Sequence, residues 1–302
     1  MGALAQSTRP VARISGVLIR SATWGDLEEV ADLLGSQSRA VSGIGVRVAQ
    51  LRAEWDRAGF VVGQDNLVAV DDGEVTGYGV VKPGGELVLA ALDEPTADEL
   101  FERLCGRARQ RGHATLIAVV ESGEGELATL VHRRAFRLDR EILLMWRPLG
   151  GPVEEPRVPE GITVRTFERD DAEAVHSLLN DAYTSWDDRY VPLAHDEWVN
   201  WMTGDPEFDP SVWWLAERDW TLVGCALHWS SGWLKDLAVA SQERGRGLGE
   251  VLVRHGLFEF ATWGIPRVGL KVDAANPTGA VRLYERLGFV VSSREATWTL
   301  AL

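Results

Sequence analysis

The sequence predicts an α/β fold that occurs twice in tandem, each copy a mixed sheet with helices on both faces. Three observations predict it. Residues 147–161 hold four prolines and three glycines and form the clearest linker of the chain. On either side of this linker, residues 18–30 and residues 163–175 have the same order of apolar, polar and charged positions. Residues 130–136 match residues 283–289 without gaps, so the chain is read as a repeat of about 140 residues.

Each copy is predicted to open with a short strand, a polar turn and an amphipathic helix. In the first copy the strand covers 18–22 and the helix follows Asp26; in the second the strand covers 163–167 and the helix follows Asp171. The predicted division is a flexible tail at 1–16, a first domain at 17–148, a linker at 149–161 and a second domain at 162–302.

Composition narrows the class of protein. Of 302 residues, 45% are hydrophobic and 25% are charged, which is typical of a globular chain of about two domains. The formal net charge of −14 disfavours nucleic acid and anionic membranes as partners. No membrane span, secretory signal or Cys/His metal cluster is expected from the sequence. Cys105 and Cys225 lie in apolar settings, which favours a reduced, cytoplasmic location. A monomer or homodimer is expected.

The most informative segment is the loop Arg-Gly-Arg-Gly-Leu-Gly at residues 244–249. It lies between an apolar run at 234–239 and a helical pattern at 251–260. A strand that ends in a glycine-rich turn and continues as a helix forms an anion site, because unpaired first-turn N–H groups point at the ligand. Two arginines add positive charge in an acidic chain, so the loop predicts a bound phosphate.

Three known glycine-loop patterns that bind phosphate groups can be compared with this segment. A P-loop would need Lys-Ser or Lys-Thr after the last glycine, and neither is present. A dinucleotide fingerprint that starts at Gly245 places Glu250 where its third glycine belongs. The pattern [QR]-x-x-G-x-[GA] fits in two registers, starting at Gln242 or at Arg244. A plain strand–turn–helix connection with glycines for close packing remains the alternative.

A second pattern follows about thirty residues later. A strand-like run at 268–273 precedes Asn276 and Pro277, then a helix whose apolar side carries Tyr284, and Gly288 as its C-terminal cap. The string N-x-x-x-A-x-x-L-Y-E-x-L-G-F and the loop together resemble the signature of the GCN5-related N-acetyltransferase (GNAT) superfamily. The resemblance covers residues 234–289, is of the tandem-domain type, and includes a distant similarity to mycothiol synthase.

The resemblance implies two GNAT folds, each a mixed, mostly antiparallel sheet flanked by helices, with splayed fourth and fifth strands in the second copy. It implies acetyl-CoA as cosubstrate and direct attack by an amine in a ternary complex. Residues 233–239 become the fourth strand, along which the pantetheine arm lies. The implied cofactor-binding residues are Leu237, Ala238, Val239, Arg244, Gly245, Arg246, Gly247, Leu248, Gly249 and Asn276.

Catalytic roles also follow from the resemblance. Tyr284 occupies the position of the family's acid, although it also fits a core aromatic of an amphipathic helix. Asp236 on the fourth strand is the predicted base; the alternative is a strand-edge charge paired with Lys235. Asn276 fits a cofactor contact, a helix N-cap or both. The alternative bases are Asp181, Glu197 and His228. A bound water that connects the amine to a remote carboxylate is a further alternative.

The acceptor is predicted to be a small amine. Residues 183–220 are rich in aromatic and acidic side chains, and as a group they favour a cationic or amphipathic amine. Taken singly, residues such as Trp198 and Trp201 fit the buried face of a helix. Mycothiol synthases acetylate a cysteinyl pseudo-disaccharide, and their acidic and tyrosine substrate residues would fall near Gly232 and Lys271; both are absent here, which favours a different specificity. The aromatic residues of the segment are Tyr183, Trp186, Tyr190, Trp198, Trp201, Phe208, Trp213, Trp214 and Trp220.

Two other functions stay open at this point. A protein N-terminus or lysine could be the acceptor, which would need an open groove. The chain could also be a non-catalytic acyl-CoA-binding regulator.

The first copy is predicted to lack the cofactor site. Its counterpart of the glycine loop is residues 92–97, where carboxylates replace the arginines and Pro95 removes a backbone donor. Gly123 stands where the second copy has Asn276, and Val131 stands where it has Tyr284. We therefore expect a degenerate GNAT-like domain before the linker and a catalytic GNAT domain after it.

Overall fold

The computed structural model describes residues 13–14, 16–42, 48–57, 59–121, 125–151 and 153–302. The chain divides into two compact units. The first consists of residues up to Glu141 together with Arg294–Leu302, and the second is Ile142–Ser293. These limits differ from the predicted boundaries at 148 and 161, because two long strands each contribute to both units. Composition marks a linker, whereas a strand that two units share has no compositional signal.

Up to Glu141, the first unit contains seven strands, the last of them only in part, and four α-helices among its described residues. They are β1 (Arg13–Ile14), β2 (Val17–Ser21), α1 (Leu27–Ser42), α2 (Val48–Trp55), β3 (Asn66–Asp71), β4 (Glu74–Val81), β5 (Glu86–Ala91), α3 (Glu94–Gln110), β6 (Thr115–Glu121), α4 (Glu126–Arg133) and the start of β7 (Arg137–Pro148). Of the predicted tail, β1 pairs with β2; residues 1–12 and 15 lie outside the described residues, as does the predicted counterpart Gly123.

The sheet of the first unit runs β1-β2-β3-β4-β5-β6 and ends with the last strand of the chain, β13 (Val290–Ala301), whose residues 295–301 pair with β6. Helices cover both faces of this sheet. Leu67 packs in a core with α3 and α4, whereas its neighbour Val68 packs in a core with α1 and α2. Successive strand residues point to opposite faces, so the two cores confirm the predicted three-layer arrangement.

The second unit contains the remaining elements. They are β8 (Thr163–Thr166), α5 (Ala172–Thr184), α6 (His195–Thr203), β9 (Trp214–Arg218), β10 (Thr221–Trp229), β11 (Trp233–Val239), α7 (Leu248–Thr262), β12 (Arg267–Asp273), α8 (Ala280–Arg286) and the first residues of β13. Its sheet runs β8-β9-β10-β11-β12 and closes with residues 142–148 of β7, which pair antiparallel with β12. The predicted fourth strand, 233–239, is confirmed as β11.

The fourth and fifth strands of this sheet diverge, as predicted. The parallel partners β11 and β12 are in register only at Trp233↔Gly269 and Leu234↔Leu270. Beyond Leu234 no β12 residue pairs with β11 within the described chain, and a gap opens between the two strands. The corresponding strands of the first unit, β5 and β6, also pair at two positions only, Glu86 and Leu87. The splay is therefore a property of both copies.

The internal repeat extends to individual side chains. Arg20 of β2 holds Asp26 through two N–H···O bonds of 2.7 and 2.6 Å, and Arg165 of β8 holds Asp171 through two of 2.7 Å. In both copies the aspartate also accepts from the backbone N–H three residues earlier, at 2.7 Å. The same bidentate pair at the same spacing fixes the entry to the first helix of each copy.

The two copies differ at the end of their last helix. After α8, Gly288 has φ +84°, and the N–H groups of Gly288 and Phe289 donate to Glu285 O and Tyr284 O. This is the predicted glycine cap. The equivalent position after α4 is Ala135, which adopts φ +55°.

An Ala135→Gly substitution is expected to stabilise the first unit by about 0.5–1 kcal/mol, because glycine removes the Cβ strain of the left-handed conformation. The reciprocal change Gly288→Ala is expected to destabilise the second unit by a similar amount. Both shifts are measurable by differential scanning calorimetry. Equal signs for the two substitutions would contradict this account.

Candidate functional site

The gap beside β11 exposes a row of backbone polar groups. Ala240 N donates to Val223 O of β10 at 2.9 Å. In an antiparallel pair, successive residues direct their N–H and C=O alternately towards and away from the partner strand. Leu237 and Val239 therefore direct their backbone N–H and C=O groups away from β10 and into the gap. The Arg244 side chain donates to one of them, Val239 O, at 3.0 Å.

A β-bulge sets the direction of the side chains on this strand. The pairing of β10 with β11 shifts between Leu227↔Asp236 and His228↔Leu234, which leaves Lys235 as the extra residue. After the bulge, Asp236 points to the face that α5 covers, where Tyr183 lies. Leu237, the next residue, points to the other face and approaches Gly249 at the start of α7.

The glycine loop connects β11 to α7 as the sequence predicts. Gly245 has φ +76°, and Gly247 has φ +83° and is the N-cap of α7. A Cβ built on either glycine has no neighbouring atom within 4 Å. Across the part of the chain that the structure describes, no acceptor binds the backbone N–H groups of residues 245–250. The loop is thus an open cradle of free donors at a helix N-terminus, which is suited to an anion.

A buried carboxylate holds the loop in place. Glu243 accepts from Arg218 of β9 at 3.0 and 3.1 Å and pairs with Arg246 at 3.3 Å. The Arg218 guanidinium is the main reason that the pKa of Glu243 is lowered. Arg244 reaches across to Ser185 at the end of α5, at 3.5 Å. Glu243 and Arg218 were absent from the predicted site; the Arg218 contact depends on the fold of β9 and has no local sequence signal.

Asp236 is the centre of a polar and aromatic cluster. Its Oδ1 accepts from Tyr183 Oη at 2.8 Å, and its Oδ2 lies 3.3 Å from Lys235 Nζ. The Tyr183 ring packs against Tyr190, with centroids 5.2 Å apart and the ring planes tilted by 32°, and Tyr190 Oη donates to Asn180 Oδ1 at 2.8 Å. Burial, and then the Asp236 charge, raise the pKa of Tyr183 well above its usual value. Asp236 therefore forms the predicted ion pair with Lys235. Its carboxylate is also mostly buried and hydrogen-bonded to Tyr183, unlike a charge at an exposed strand edge.

Tyr284 lies beside this cluster on α8. The side chain is buried and packs edge-on against Phe289, with centroids 5.7 Å apart. Its hydroxyl makes no hydrogen bond to any described residue. Burial raises its pKa, and the Asp236 charge raises it further, so the phenol stays protonated at neutral pH. Tyr284 is thus both a core aromatic and a protonated hydroxyl near the carboxylate.

Asn276 is not the N-cap of the following helix. That cap is Gly279 at φ +82°, and α8 begins at Ala280 rather than at Pro277. The Asn276 side chain instead accepts from Thr278 N at 2.9 Å and from Thr278 Oγ1 at 2.5 Å. This local turn uses the amide oxygen and delays the helix by one turn.

The three alternatives to Asp236 as the base lie outside the cluster that Asp236 forms with Tyr183 and Lys235. Asp181 is exposed in a shallow groove beside Glu173 and His176, and Glu197 is exposed on α6. His228 is fully buried against α7, where its ring lies 5.5 Å from Phe260 and its Nδ1 lies 2.9 Å from Val212 O. None of the three is hydrogen-bonded to Asp236 or Tyr284 in the described chain.

Burial lowers the pKa of His228 to about 4, so its ring is neutral in the fold. The unfolded chain binds a proton near pH 6.5, and therefore the stability due to neutral His228 is lost as pH falls from about 6.5 to about 4. The expected loss is about 3 kcal/mol over this interval. Denaturant unfolding at several pH values checks it. A His228→Leu variant should show a flatter pH dependence; the same slope in both proteins would contradict the assignment.

The aromatic segment is divided between core and surface. Trp198 and Trp213 are buried in the core. For Trp198, this agrees with the prediction that it lies on the buried face of a helix. Trp201 is not on the buried face of its helix: 52% of it is exposed, and Lys235 Nζ lies 5.0 Å from its ring centroid. Trp220 is almost fully exposed in the β9–β10 turn. On α6, the side chains of Trp198 and Met202 point into the core, whereas Trp201 points towards solvent.

Comparison with known proteins identifies the family. The model of the Acetyltransferase (GNAT) family matches residues 172–289. A mycothiol acetyltransferase of Thermobispora bispora is 33% identical over 264 residues, which cover 77% of this chain and 82% of that protein. One of Geodermatophilus obscurus is 30% identical, with 94% of this chain and 98% of that protein covered. The chain belongs to the GNAT acetyltransferase family.

Solved structures show the same fold for this GNAT protein. A GCN5-related N-acetyltransferase of Sphaerobacter thermophilus aligns with a TM-score of 0.68 at 24% identity, covering 96% of this chain and 97% of that one. A tandem GNAT protein from the clavulanic acid biosynthesis pathway aligns with a TM-score of 0.56 at 17% identity, covering 94% and 98%. The tandem α/β arrangement is therefore confirmed. The family model and the relatives of 30% identity or more show that the protein is an acetyltransferase.

GNAT acetyltransferases use acetyl-CoA, and the loop of the second unit has groups that fit its pyrophosphate. The N–H groups of residues 245–250 have no acceptor within the described chain, space is open beside Gly245 and Gly247, and the same loop carries Arg244 and Arg246. The matching helix of the first unit differs. Asp93 caps α3 and accepts from Thr96 N at 2.8 Å and from Thr96 Oγ1 at 3.0 Å, so a carboxylate of the chain itself occupies this helix N-terminus.

The described residues include neither a membrane-spanning helix nor a metal-binding cluster. No described helix is long and apolar enough to cross a membrane. Among the same residues, no group of three or more His, Cys, Asp or Glu side chains is arranged to hold a metal ion. Cys105 and Cys225 are both buried and unpaired with each other.

Proposed function

We propose that the second unit is an acetyl-CoA-dependent N-acetyltransferase that transfers an acetyl group to the amine of a small molecule. The observation that carries the proposal is the position of Asp236 beside the gap between β11 and β12, with a helix N-terminus of free donors at the end of the same strand. One strand thus connects a group that can receive a proton to a site that can hold a phosphate.

The chain's own residues have separate parts in binding. The N–H groups from Gly245 to Glu250 hold the pyrophosphate, and Arg244 and Arg246 add charge. Leu237 and Val239 offer backbone hydrogen bonds along the gap, which suits an extended amide-containing arm. Acetyl-CoA supplies the acetyl group as a thioester. The role of Asn276 as a cofactor contact remains a proposal, since its amide oxygen serves a local turn and only its NH₂ group is available.

The residues then divide the chemistry among them. A backbone N–H in the gap polarises the carbonyl that the amine attacks. Asp236 receives the first proton of the ammonium ion, so that a neutral amine attacks the thioester. The nitrogen loses its second proton as the N–C bond forms and the C–S bond breaks, and this balances the proton that the sulfur gains. Tyr284, protonated because it is buried, donates a proton to the departing sulfur. Holding amine and thioester side by side supplies much of the rate.

The acceptor class rests on the surroundings of Asp236. Tyr183, Tyr190 and Trp201 place aromatic surface near one carboxylate, which suits an amine that arrives as an ammonium ion. Relatives are named mycothiol acetyltransferases, so the cysteinyl pseudo-disaccharide is the first acceptor to test. Gly232 and Lys271, where mycothiol synthases carry their substrate residues, favour a different small amine.

A turnover screen with acetyl-CoA tests the function. The panel contains the cysteinyl pseudo-disaccharide, polyamines, amino sugars, amino acids and peptides with free N-termini or lysines, and free thiol release is measured. Turnover of a small amine above that of peptides is expected. Preferred peptide acetylation would favour the protein-acetylating alternative. Acetyl-CoA binding without turnover of any amine would favour the non-catalytic regulator.

A Tyr284→Phe substitution is expected to lower kcat about 10- to 100-fold, while the Kd for acetyl-CoA changes less than about threefold. The effect is smaller than for a missing base, because a thiolate leaves more readily than an ammonium ion loses its proton at neutral pH. Steady-state kinetics and calorimetry on the same preparations measure the two quantities. Unchanged turnover across the pH range would remove Tyr284 from the mechanism.

A further inference from the structure

Lys235 places an ammonium group where the proposed reaction needs one. Its Nζ lies 3.3 Å from Asp236 Oδ2 and 5.0 Å from the centroid of the Trp201 ring. Neighbouring residues of a regular strand point to opposite faces, so their side chains do not normally meet. Here the bulge at Lys235 allows the contact.

The groups around this ammonium form a defined site. Tyr183 donates to Oδ1 of Asp236 and fixes the carboxylate, which leaves Oδ2 to face Lys235. The Trp201 ring supplies a π face, and 52% of this residue is exposed, so the position is open to solvent. A carboxylate oxygen opposite an aromatic face is the arrangement that binds an alkylammonium ion.

We propose that Asp236 Oδ2 and the face of Trp201 form a subsite for a primary alkylammonium ion, and that Lys235 fills it in the free protein. The inference rests on the proposed function, because the acceptor amine must reach Asp236. The acceptor is then a primary amine on a flexible chain, and it displaces Lys235 from the carboxylate as it binds. Lys235 acts as an intramolecular competitor that excludes weakly bound amines.

The choice of lysine supports a displaceable contact. Of 31 basic residues, 28 are arginine, yet position 235 is one of three lysines. An arginine there could hold both carboxylate oxygens with a planar fork and would resist exchange. The side chains of Lys235 and Asp236 are 26% and 12% exposed. Such partly exposed pairs are weak, so a substrate amine can replace this one.

The test measures binding of butylammonium, which matches the four-carbon stem of lysine, by calorimetry without acetyl-CoA. Lys235→Ala is expected to bind it about 3- to 30-fold more tightly than the unmodified protein. Arg169→Ala changes the net charge equally at an exposed position of the same unit and should stay within about twofold. In the Lys235→Ala background, Trp201→Leu should remove the gain. The neutral 1-butanol should show no gain in either protein.

Two outcomes would overturn the inference. One is equal affinity for butylammonium in the unmodified protein and Lys235→Ala. The other is an equal gain in Arg169→Ala, which would indicate net charge alone. These results are independent of turnover: a protein that gains butylammonium affinity but acetylates no amine would refute the proposed function and leave the subsite intact. A protein that acetylates amines without the gain would refute only the subsite.

Discussion

Gly247→Val is expected to weaken acetyl-CoA binding by about 10²- to 10³-fold. Two effects combine. Gly247 has φ +83°, a conformation that costs an L-residue about 1–2 kcal/mol, so the free loop of the variant is expected to leave it and must regain it on binding. In addition, the new side chain extends into the open space in front of the first-turn N–H groups, each of which contributes about 1.5–3 kcal/mol when it binds a charged oxygen. Isothermal titration calorimetry measures the loss.

Gly264→Val provides the matched control. Gly264 has φ +73° and open space around its Cβ, as Gly247 does, but it follows the C-terminal end of α7. Both variants therefore carry similar backbone strain, and only one of them blocks the loop. Affinity close to that of the unmodified protein is expected for Gly264→Val. If both substitutions weaken binding equally, strain in α7 explains the loss and the loop assignment fails.

Asp236→Asn is expected to lower kcat by about 10²- to 10⁴-fold, the largest effect on turnover of any single change considered. The amide keeps the size of the carboxylate and can still accept from Tyr183, but it cannot receive a proton. Acetyl-CoA affinity should change less than about threefold, since the loop is intact. Steady-state kinetics over a range of pH measure the defect.

The pH dependence separates a base from a structural carboxylate. Without Asp236 the amine must lose its proton before it attacks, and a lysine-like amine has a pKa of about 10.4. The deficit of Asp236→Asn should therefore shrink as pH rises towards this value. Tyr183→Phe keeps the carboxylate and removes only the hydrogen bond, so its deficit should be smaller. A constant deficit at every pH would favour a positioning role for Asp236.

Local patterns predicted much of the second unit. The glycine loop, the fourth strand at 233–239 and the cap at Gly288 all appear where the sequence places them. Each depends on a few consecutive residues whose backbone preferences agree with the final fold. The tandem repeat was also visible, because Asp26 and Asp171 keep the same spacing from their arginine partners.

Other features depend on contacts between distant segments. The bulge at Lys235 follows from the register with β10, and no property of residues 233–239 alone requires it. The contribution of residues 294–302 to the first unit has the same origin, since strand pairing is non-local. Tyr183 was predicted to line the acceptor segment, but its hydrogen bond to Asp236 spans 53 positions and could not be inferred from spacing. Asn276 was ambiguous because Asn suits both turns and caps.

The stoichiometry of acetyl-CoA binding tests the central claim, that only the second of two similar units holds the cosubstrate. Calorimetry of the full chain should give one acetyl-CoA per chain. Gly247→Val should weaken this binding by about 10²- to 10³-fold. Asp93→Ala, which removes the carboxylate at the corresponding helix of the first unit, should leave both stoichiometry and affinity unchanged. Two binding events per chain, or one whose affinity is unchanged in Gly247→Val, would contradict the account.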